Sequence, residues 1–198
     1  MSVKKKMEMI VKMMALIQNF DIFILLYIKN HMYGHMMDKV MIIVTSLGNL
    51  GAVWIVISIL LIINKKYRNV GFMVLVALIL STVLGEGILK HVVQRIRPSA
   101  DIPAVKLLIS KPLSYSFPSG HAASSFAAAG ILAKYLKNYA VEFFGLAALI
   151  AFSRLYLYVH YPTDVLAGII LGLICSKMTI YFFNRLSQKQ QSLCRKGD

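Results

Sequence analysis

The chain has 198 residues, of which 58% are hydrophobic and only 15% are charged, against roughly 45–50% and 25% in soluble domains. With a mean hydropathy of +0.68, the long unbroken apolar runs exclude an ordinary soluble domain and indicate an integral membrane protein. A net charge of +14 suggests nucleic acid in a soluble protein, but here the basic residues cluster between apolar runs, as in cytoplasmic loops. We therefore expect no nucleic-acid partner.

Six apolar segments follow one another, each close to the length that crosses a bilayer. They cover residues 7–28, 40–63, 70–89, 119–136, 140–159 and 162–183. The first contains Gln18 and Asp21, so it either spans or lies at the interface. The second is interrupted by Gly48-Asn49-Leu50-Gly51, which predicts a turn between two helices. The sequence predicts an all-α, six-helix membrane bundle in one domain over residues 1–198, with basic tails at about 1–6 and 184–198.

The distribution of basic residues predicts the orientation of this bundle. Most Lys and Arg residues fall on the side that both termini share, and cytoplasmic loops are the basic ones. We therefore expect a multi-pass protein of the cell membrane with cytoplasmic termini. The long polar stretch 90–117 then faces the cell exterior or periplasm.

Three groups of polar residues interrupt the apolar pattern near this predicted outer face. Lys90 and Arg97 are seven residues apart, on one face of a helix that Pro98 should end. The second group is residues 116–121, at the start of the fourth segment. The third group extends from the end of the fifth segment into the start of the sixth and contains Ser153, Arg154, His160 and Asp164. With six spans, all three groups meet at the outer face.

The chemistry that these groups indicate is phosphoryl transfer. Three cations can neutralise and clamp a phosphate, namely Lys90, Arg97 and Arg154. Pro118 suits the first position of a helix, which would leave the amides of Ser119, Gly120 and His121 as free donors. Because Gly120 has no side chain, a phosphate can approach the backbone closely there.

Two histidines can divide the remaining work. His160 precedes a helix start at Pro162, and Asp164 falls in the first turn, within reach of the imidazole. A carboxylate that accepts a hydrogen bond from Nδ1 leaves Nε2 free as a nucleophile. His121 is then available as the general acid for the leaving group.

The order and spacing of these residues resemble the three-part signature of the type 2 phosphatidic acid phosphatase (PAP2) superfamily. The matching positions are Lys90 with six residues to Arg97-Pro98, then Pro118-Ser119-Gly120-His121, then Ser153-Arg154 with five residues to His160 and three more to Asp164. The resemblance implies a helical bundle whose outward-facing site hydrolyses lipid phosphates or diphosphates through a phosphohistidine at His160, with no metal or cofactor. It also implies that His121 is the acid, that Asp164 supports the nucleophile, and that the phosphate is bound by Lys90, Arg97, Ser119, Gly120 and Arg154.

The substrate and some neighbouring features stay open at this point. Undecaprenyl diphosphate is the first choice, and phosphatidylglycerophosphate or phosphatidate is the alternative. A vanadium haloperoxidase and a non-catalytic lipid-binding or transport protein are weaker readings. Glu86, expensive in lipid, can pair with Lys90 four residues on. The Gly168 and Gly172 pair, with the small residues 122–130, predicts close helix packing, or a homodimer.

Overall fold

The computed structural model describes residues 3–101, 107–110 and 112–194, and the regular structure of this part of the chain is helical. Turns of 3₁₀-helix at Asn49–Gly51 and Lys137–Tyr139 and a π-helical stretch at Val83–Leu89 lie among the α-helices. The α-helices are α1 Val3–Met32, α2 His35–Leu47, α3 Ala52–Ile63, α4 Arg68–Thr82, α5 Lys90–Val93, α6 Pro98–Asp101, α7 Gly120–Tyr135, α8 Ala140–Tyr156 and α9 Pro162–Cys194.

Four or five helical stretches among the described residues are long and apolar enough to cross a membrane. Four pass singly, namely Lys5–Met32, Arg68–Val93, Lys137–Tyr156 and Pro162–Lys189. The fifth is α2 with α3, which are bent by 49° at the predicted Gly48–Gly51 interruption. The fourth predicted segment, residues 119–136, forms α7, whose 16 residues fall short of the roughly 20 that a bilayer requires.

Helix α7 lies at the centre of the bundle, packed against α4, α8 and α9. Small residues make this packing close, as predicted: a Cβ atom on Gly168 would lie 2.5 Å from the Ser119 carbonyl oxygen, and one on Gly172 would collide with Ala123. The apolar core around α7 is fully buried and includes Trp54, Val74, Ala128, Ile131 and Ile150. A homodimer stays a prediction.

The outward surface of the bundle is apolar. Large apolar side chains stay exposed along several helices, among them Leu16, Phe23, Ile63, Ile79 and Leu166. In water such a surface would be costly, whereas lipid tails solvate it. The protein therefore has the surface of a membrane protein, as its composition predicts.

The third segment differs from the prediction at its end. The helix that contains Lys90 stops at Val93, because Gln94 adopts a left-handed conformation with φ of 50°. The expectation that Lys90 and Arg97 share a helix ended by Pro98 is wrong, since Pro98 instead begins α6. The turn at Gln94 redirects the chain so that the Arg95 carbonyl accepts a hydrogen bond from Ser116 N at 2.8 Å.

Candidate active site

One cavity of about 370 Å³ brings the three predicted groups together. Of the eight predicted site residues, six line it: Lys90, Arg97, Gly120, His121, Arg154 and His160. The other two, Ser119 and Asp164, are fully buried and lie outside this lining set. The convergence of the three groups at one end of the bundle is therefore confirmed among the described residues.

Lys90 and Arg97 meet at a serine that the sequence did not single out. Lys90 Nζ and Arg97 Nη2 both donate to Ser114 Oγ at 3.0 Å, and Arg97 Nε donates to the Ser114 carbonyl at 2.6 Å. The two cations therefore lie side by side although they are not on one helix. Ser114 is in the irregular segment before α7, where apolar periodicity gives no signal.

Two buried guanidinium groups have no carboxylate partner within the part of the chain that the structure describes. Arg97 and Arg154 are 6% and 4% exposed, yet no carboxylate among the described residues lies within ion-pair distance of either. Arg154 donates from Nη1 to Thr45 Oγ1, and its Nε has no partner within the described chain. Buried charges are normally paired. An anion bound in this corner of the cavity would supply the negative charge that the two guanidinium groups need.

His160 presents an unprotonated Nε2 to this site. Arg97 Nη1 lies 3.1 Å from His160 Nε2, and since a guanidinium can only donate, Nε2 accepts and the ring proton is on Nδ1. Burial, with the positive charges of Arg97 and Arg154, lowers the pKa of His160 to about 3 even though Asp164 raises it. The imidazole is therefore neutral, in the tautomer that a nucleophilic Nε2 requires.

The expected hydrogen bond from His160 to Asp164 is longer than predicted. His160 Nδ1 lies 3.8 Å from Asp164 Oδ2 and makes no hydrogen bond within the described residues. The Asp164 carboxylate instead accepts from Ser116 Oγ, from Tyr161 N at 2.9 Å and from Arg95 Nη1 at 2.7 Å. Asp164 therefore faces the nucleophile but is held by other groups.

The start of α7 provides fewer free amides than expected. Ser119 N donates to the Asp164 carbonyl at 3.0 Å, so the prediction that this amide is free is wrong. Pro118 precedes the helix in a cis peptide bond with Phe117, and α7 begins at Gly120. The amides of Gly120 and His121 occupy the first turn, where backbone donors have no intrahelical partner.

His121 is positioned by the break between α2 and α3. His121 Nε2 lies 3.0 Å from Asn49 Oδ1, and a Cβ atom on Gly48 would lie 2.7 Å from the imidazole Cδ2. The turn therefore forms a wall of the cavity. The Gly-Asn-Leu-Gly interruption was visible in the sequence, but its contact with His121 was not.

Glu86 extends over the start of α7. It lies in the π-helical stretch, and Lys90 Nζ is 2.7 Å from both of its carboxylate oxygens, so the predicted pairing four residues apart is confirmed. A Cβ atom on Gly120 would collide with Glu86 Oε1. A carboxylate therefore occupies the position beside Lys90 and Gly120 that is suited to a phosphate oxygen.

The fold and this cavity define a membrane helical protein with a pocket lined by Lys90, Arg97 and Arg154 beside a neutral histidine. The sequence profile of the PAP2 superfamily matches residues 66–188, and the chain belongs to that superfamily. It is 38% identical over 121 residues to an undecaprenyl-diphosphatase of Sulfolobus acidocaldarius, which covers 61% of this chain and 58% of that relative. The chain thus spans less than two thirds of the relative's length.

Two solved structures share the fold at higher coverage. LpxE of Aquifex aeolicus has a TM-score of 0.72 and 31% identity, covering 81% of this chain and 94% of that one. A PAP2-type phosphatidylglycerolphosphate phosphatase of Bacillus subtilis has a TM-score of 0.70 and 26% identity, covering 86% and 87%. Most of the helical bundle, and not only the motif region, is therefore similar to known PAP2 proteins.

Proposed function

We propose that the chain is a membrane lipid phosphatase that hydrolyses an isoprenoid or phospholipid phosphate or diphosphate at the outer leaflet. The observation that carries this proposal is the pair of buried guanidinium groups of Arg97 and Arg154, which have no carboxylate partner among the described residues and lie beside His160. A phosphoryl group supplies the missing negative charge. The phosphatase names of the relatives support the same reaction class.

The proposed reaction has two steps. His160 Nε2 attacks the phosphorus atom, forming a P–N bond as the bond to the leaving oxygen breaks, and His121 gives that oxygen a proton. Water then attacks the phosphorus atom and gives a proton to His121, the P–N bond breaks, and inorganic phosphate leaves with both imidazoles restored. Lys90, Arg97, Arg154 and the first amides of α7 stabilise the charge on the transferred phosphoryl oxygens.

The substrate we favour is undecaprenyl diphosphate, with phosphatidylglycerophosphate or phosphatidate as the alternative. The similarity to an undecaprenyl-diphosphatase favours the first, and the similarity to a phosphatidylglycerolphosphate phosphatase favours the second. Both are lipids with a terminal phosphoryl group, so the same cavity chemistry serves either. The leaving group would be the lipid monophosphate from a diphosphate, or the lipid alcohol from a monoester.

The proposed orientation puts the cavity at the outer face and both termini in the cytoplasm. In this arrangement α7, the fourth of six segments, is a short helix packed against α4, α8 and α9. Reporter fusions after residue 110 and after residue 137 should lie on opposite sides of the membrane. A cytoplasmic signal after residue 110 would contradict the outward-facing site.

Phosphate release by the purified protein tests the proposed function. The panel is undecaprenyl diphosphate, phosphatidylglycerophosphate, phosphatidate and a soluble phosphate ester. Each is assayed with and without EDTA, since the proposed phosphate-binding cations are side chains, which a chelator does not remove. We expect release from a lipid substrate, unaffected by EDTA, in wild type and in the control His91→Gln, whose histidine is exposed. Release that EDTA abolishes and Mg²⁺ restores would refute the metal-free site, and bromide oxidation without phosphate release would favour a haloperoxidase.

A further inference from the structure

A second polar network joins α1 to the back of the cavity. Its centre is Arg95, whose Nη1 donates to Asp164 Oδ1 at 2.7 Å and whose Nη2 donates to Asp21 Oδ2 at 2.6 Å. Arg95 also donates to Gln18 Oε1 and Thr163 Oγ1, each at 2.7 Å. Both carboxylates are fully buried. A buried carboxylate of the first helix is thus linked through one cation to the carboxylate that faces His160.

Asp21 also holds the first turn of α9. Its Oδ1 accepts from Thr163 N at 3.0 Å, and its Oδ2 accepts from Thr163 Oγ1 at 2.6 Å. A carboxylate at a helix N-terminus satisfies free amides and is stabilised by the helix dipole. Asp164 is the next residue of the same turn, so Asp21 acts on Asp164 both through Arg95 and through the backbone.

The geometry of Asp164 depends on this network. The distance from His160 Nδ1 to Asp164 Oδ2 is 3.8 Å. The imidazole becomes cationic when Nε2 is phosphorylated, and the carboxylate stabilises that cation best at a shorter distance. Arg95 binds the opposite oxygen, Oδ1, at 2.7 Å. Without the charge of Asp21, the guanidinium would neutralise Asp164 more completely and weaken its support of that cation.

We propose that Asp21 of α1 is a positioning residue for the reaction, acting through Arg95 and the first turn of α9 on Asp164. This inference rests on the proposed phosphatase function. Neither Asp21 nor Arg95 is among the residues that line the cavity, so neither is expected to bind the phosphate. The first helix, which otherwise exposes most of its apolar side chains, thereby completes the active site.

The test compares Asp21→Asn with Asp38→Asn in the full-length protein. Asp38 is the control because it also accepts a hydrogen bond from another helix, from Tyr156 Oη, and like Asp21 lies outside the cavity lining. The ion pair with Arg95 belongs to Asp21. In Asp21→Asn we expect kcat to fall roughly 10- to 100-fold, as misplacement of a supporting group does, with KM and orthovanadate inhibition close to wild type. Asp21→Glu, which keeps the charge, should restore part of kcat.

A readout that needs no turnover separates this inference from the proposed function. Diethyl pyrocarbonate modifies neutral imidazole, and mass spectrometry follows the rate at His160. Acylation of Nε2, like its phosphorylation, makes the ring cationic, so weaker support from Asp164 should slow the reaction. We therefore expect slower modification of His160 in Asp21→Asn than in wild type or Asp38→Asn. Equal modification rates, or a kcat of Asp21→Asn within about twofold of that of Asp38→Asn, would overturn the positioning role. If the wild type releases no phosphate but the modification rates still differ between wild type and Asp21→Asn, only the phosphatase proposal is contradicted.

Discussion

Arg97 Nη1 lies 3.1 Å from His160 Nε2, so the cation that we propose for phosphate binding contacts the nitrogen that we propose as the nucleophile. A phosphoryl oxygen bound by Arg97 would place its phosphorus atom next to Nε2. The same contact keeps Nε2 unprotonated, because the guanidinium can only donate. This contact thus links the proposed phosphate-binding cation to the tautomer of the proposed nucleophile.

Removal of Arg154 should abolish stabilisation by anions. Arg154 is buried without a carboxylate partner among the described residues, so orthovanadate, a phosphate mimic, should raise the melting temperature of the wild type. At a concentration 100 times its Kd, a ligand of the folded state adds about 2.7 kcal/mol. We expect little shift in Arg154→Ala and a wild-type shift in Arg185→Ala, whose exposed side chain contacts Tyr181; equal shifts in all three would contradict the anion site.

Neutralising Glu86 should tighten anion binding. Its carboxylate contacts Lys90 and lies against Gly120, where it would repel and compete with the oxygen of a bound phosphate. In Glu86→Gln we expect the inhibition constant of orthovanadate to fall roughly tenfold, equivalent to about 1.4 kcal/mol. Glu142→Gln is the control because Glu142 is exposed in the first turn of α8. A weaker inhibition in Glu86→Gln would show instead that the carboxylate supports the bound anion through Lys90.

The lowered pKa of His160 predicts a pH-dependent cost to stability. Burial lowers this pKa from 6.5 to about 3, so between these values the unfolded chain binds a proton that the folded protein does not. The free energy of unfolding therefore rises with pH in this window. The stability that the neutral His160 provides is fully present above pH 6.5 and is lost as the pH falls toward 3.

Melting temperatures in detergent, taken at about pH 7 and about pH 5, measure this effect. The wild type should lose more stability over this interval than His160→Gln, which keeps a neutral polar side chain. His35→Gln serves as the control, since His35 is exposed. The idea fails if the wild type and His160→Gln lose the same amount.

Much of the site was predictable because its residues lie at fixed spacings within strongly patterned segments. The sequence predicts that one site contains Lys90, Arg97, His121, Arg154 and His160, and these residues line one cavity. The break at residues 48–51 was predicted from its glycines, and the structure places a 3₁₀ turn at Asn49–Gly51. What the sequence could not provide was the partner of each group, since a contact such as Asn49 with His121 depends on how separate helices pack.

Two differences have simple physical causes. The helix of Lys90 ends early because Gln94 adopts a left-handed conformation. This conformation is uncommon for residues other than glycine and asparagine, so a glutamine does not predict it. Arg95 lies in the polar stretch 90–117, where nothing in the sequence indicates that it bridges Asp21 and Asp164. Asp21 itself was visible as a charge in an apolar segment, a costly position that often marks a functional site.

The central claim is that His160 carries the phosphoryl group. Its most direct test is to mix the purified protein with a lipid substrate labelled in the terminal phosphate, quench in alkali, where phosphohistidine is stable, and map the label by mass spectrometry. We predict label on His160 in the wild type, none in His160→Gln, and a loss of phosphate release of roughly 10⁴-fold or more in that variant. Label on another residue, or near wild-type release by His160→Gln, would contradict it.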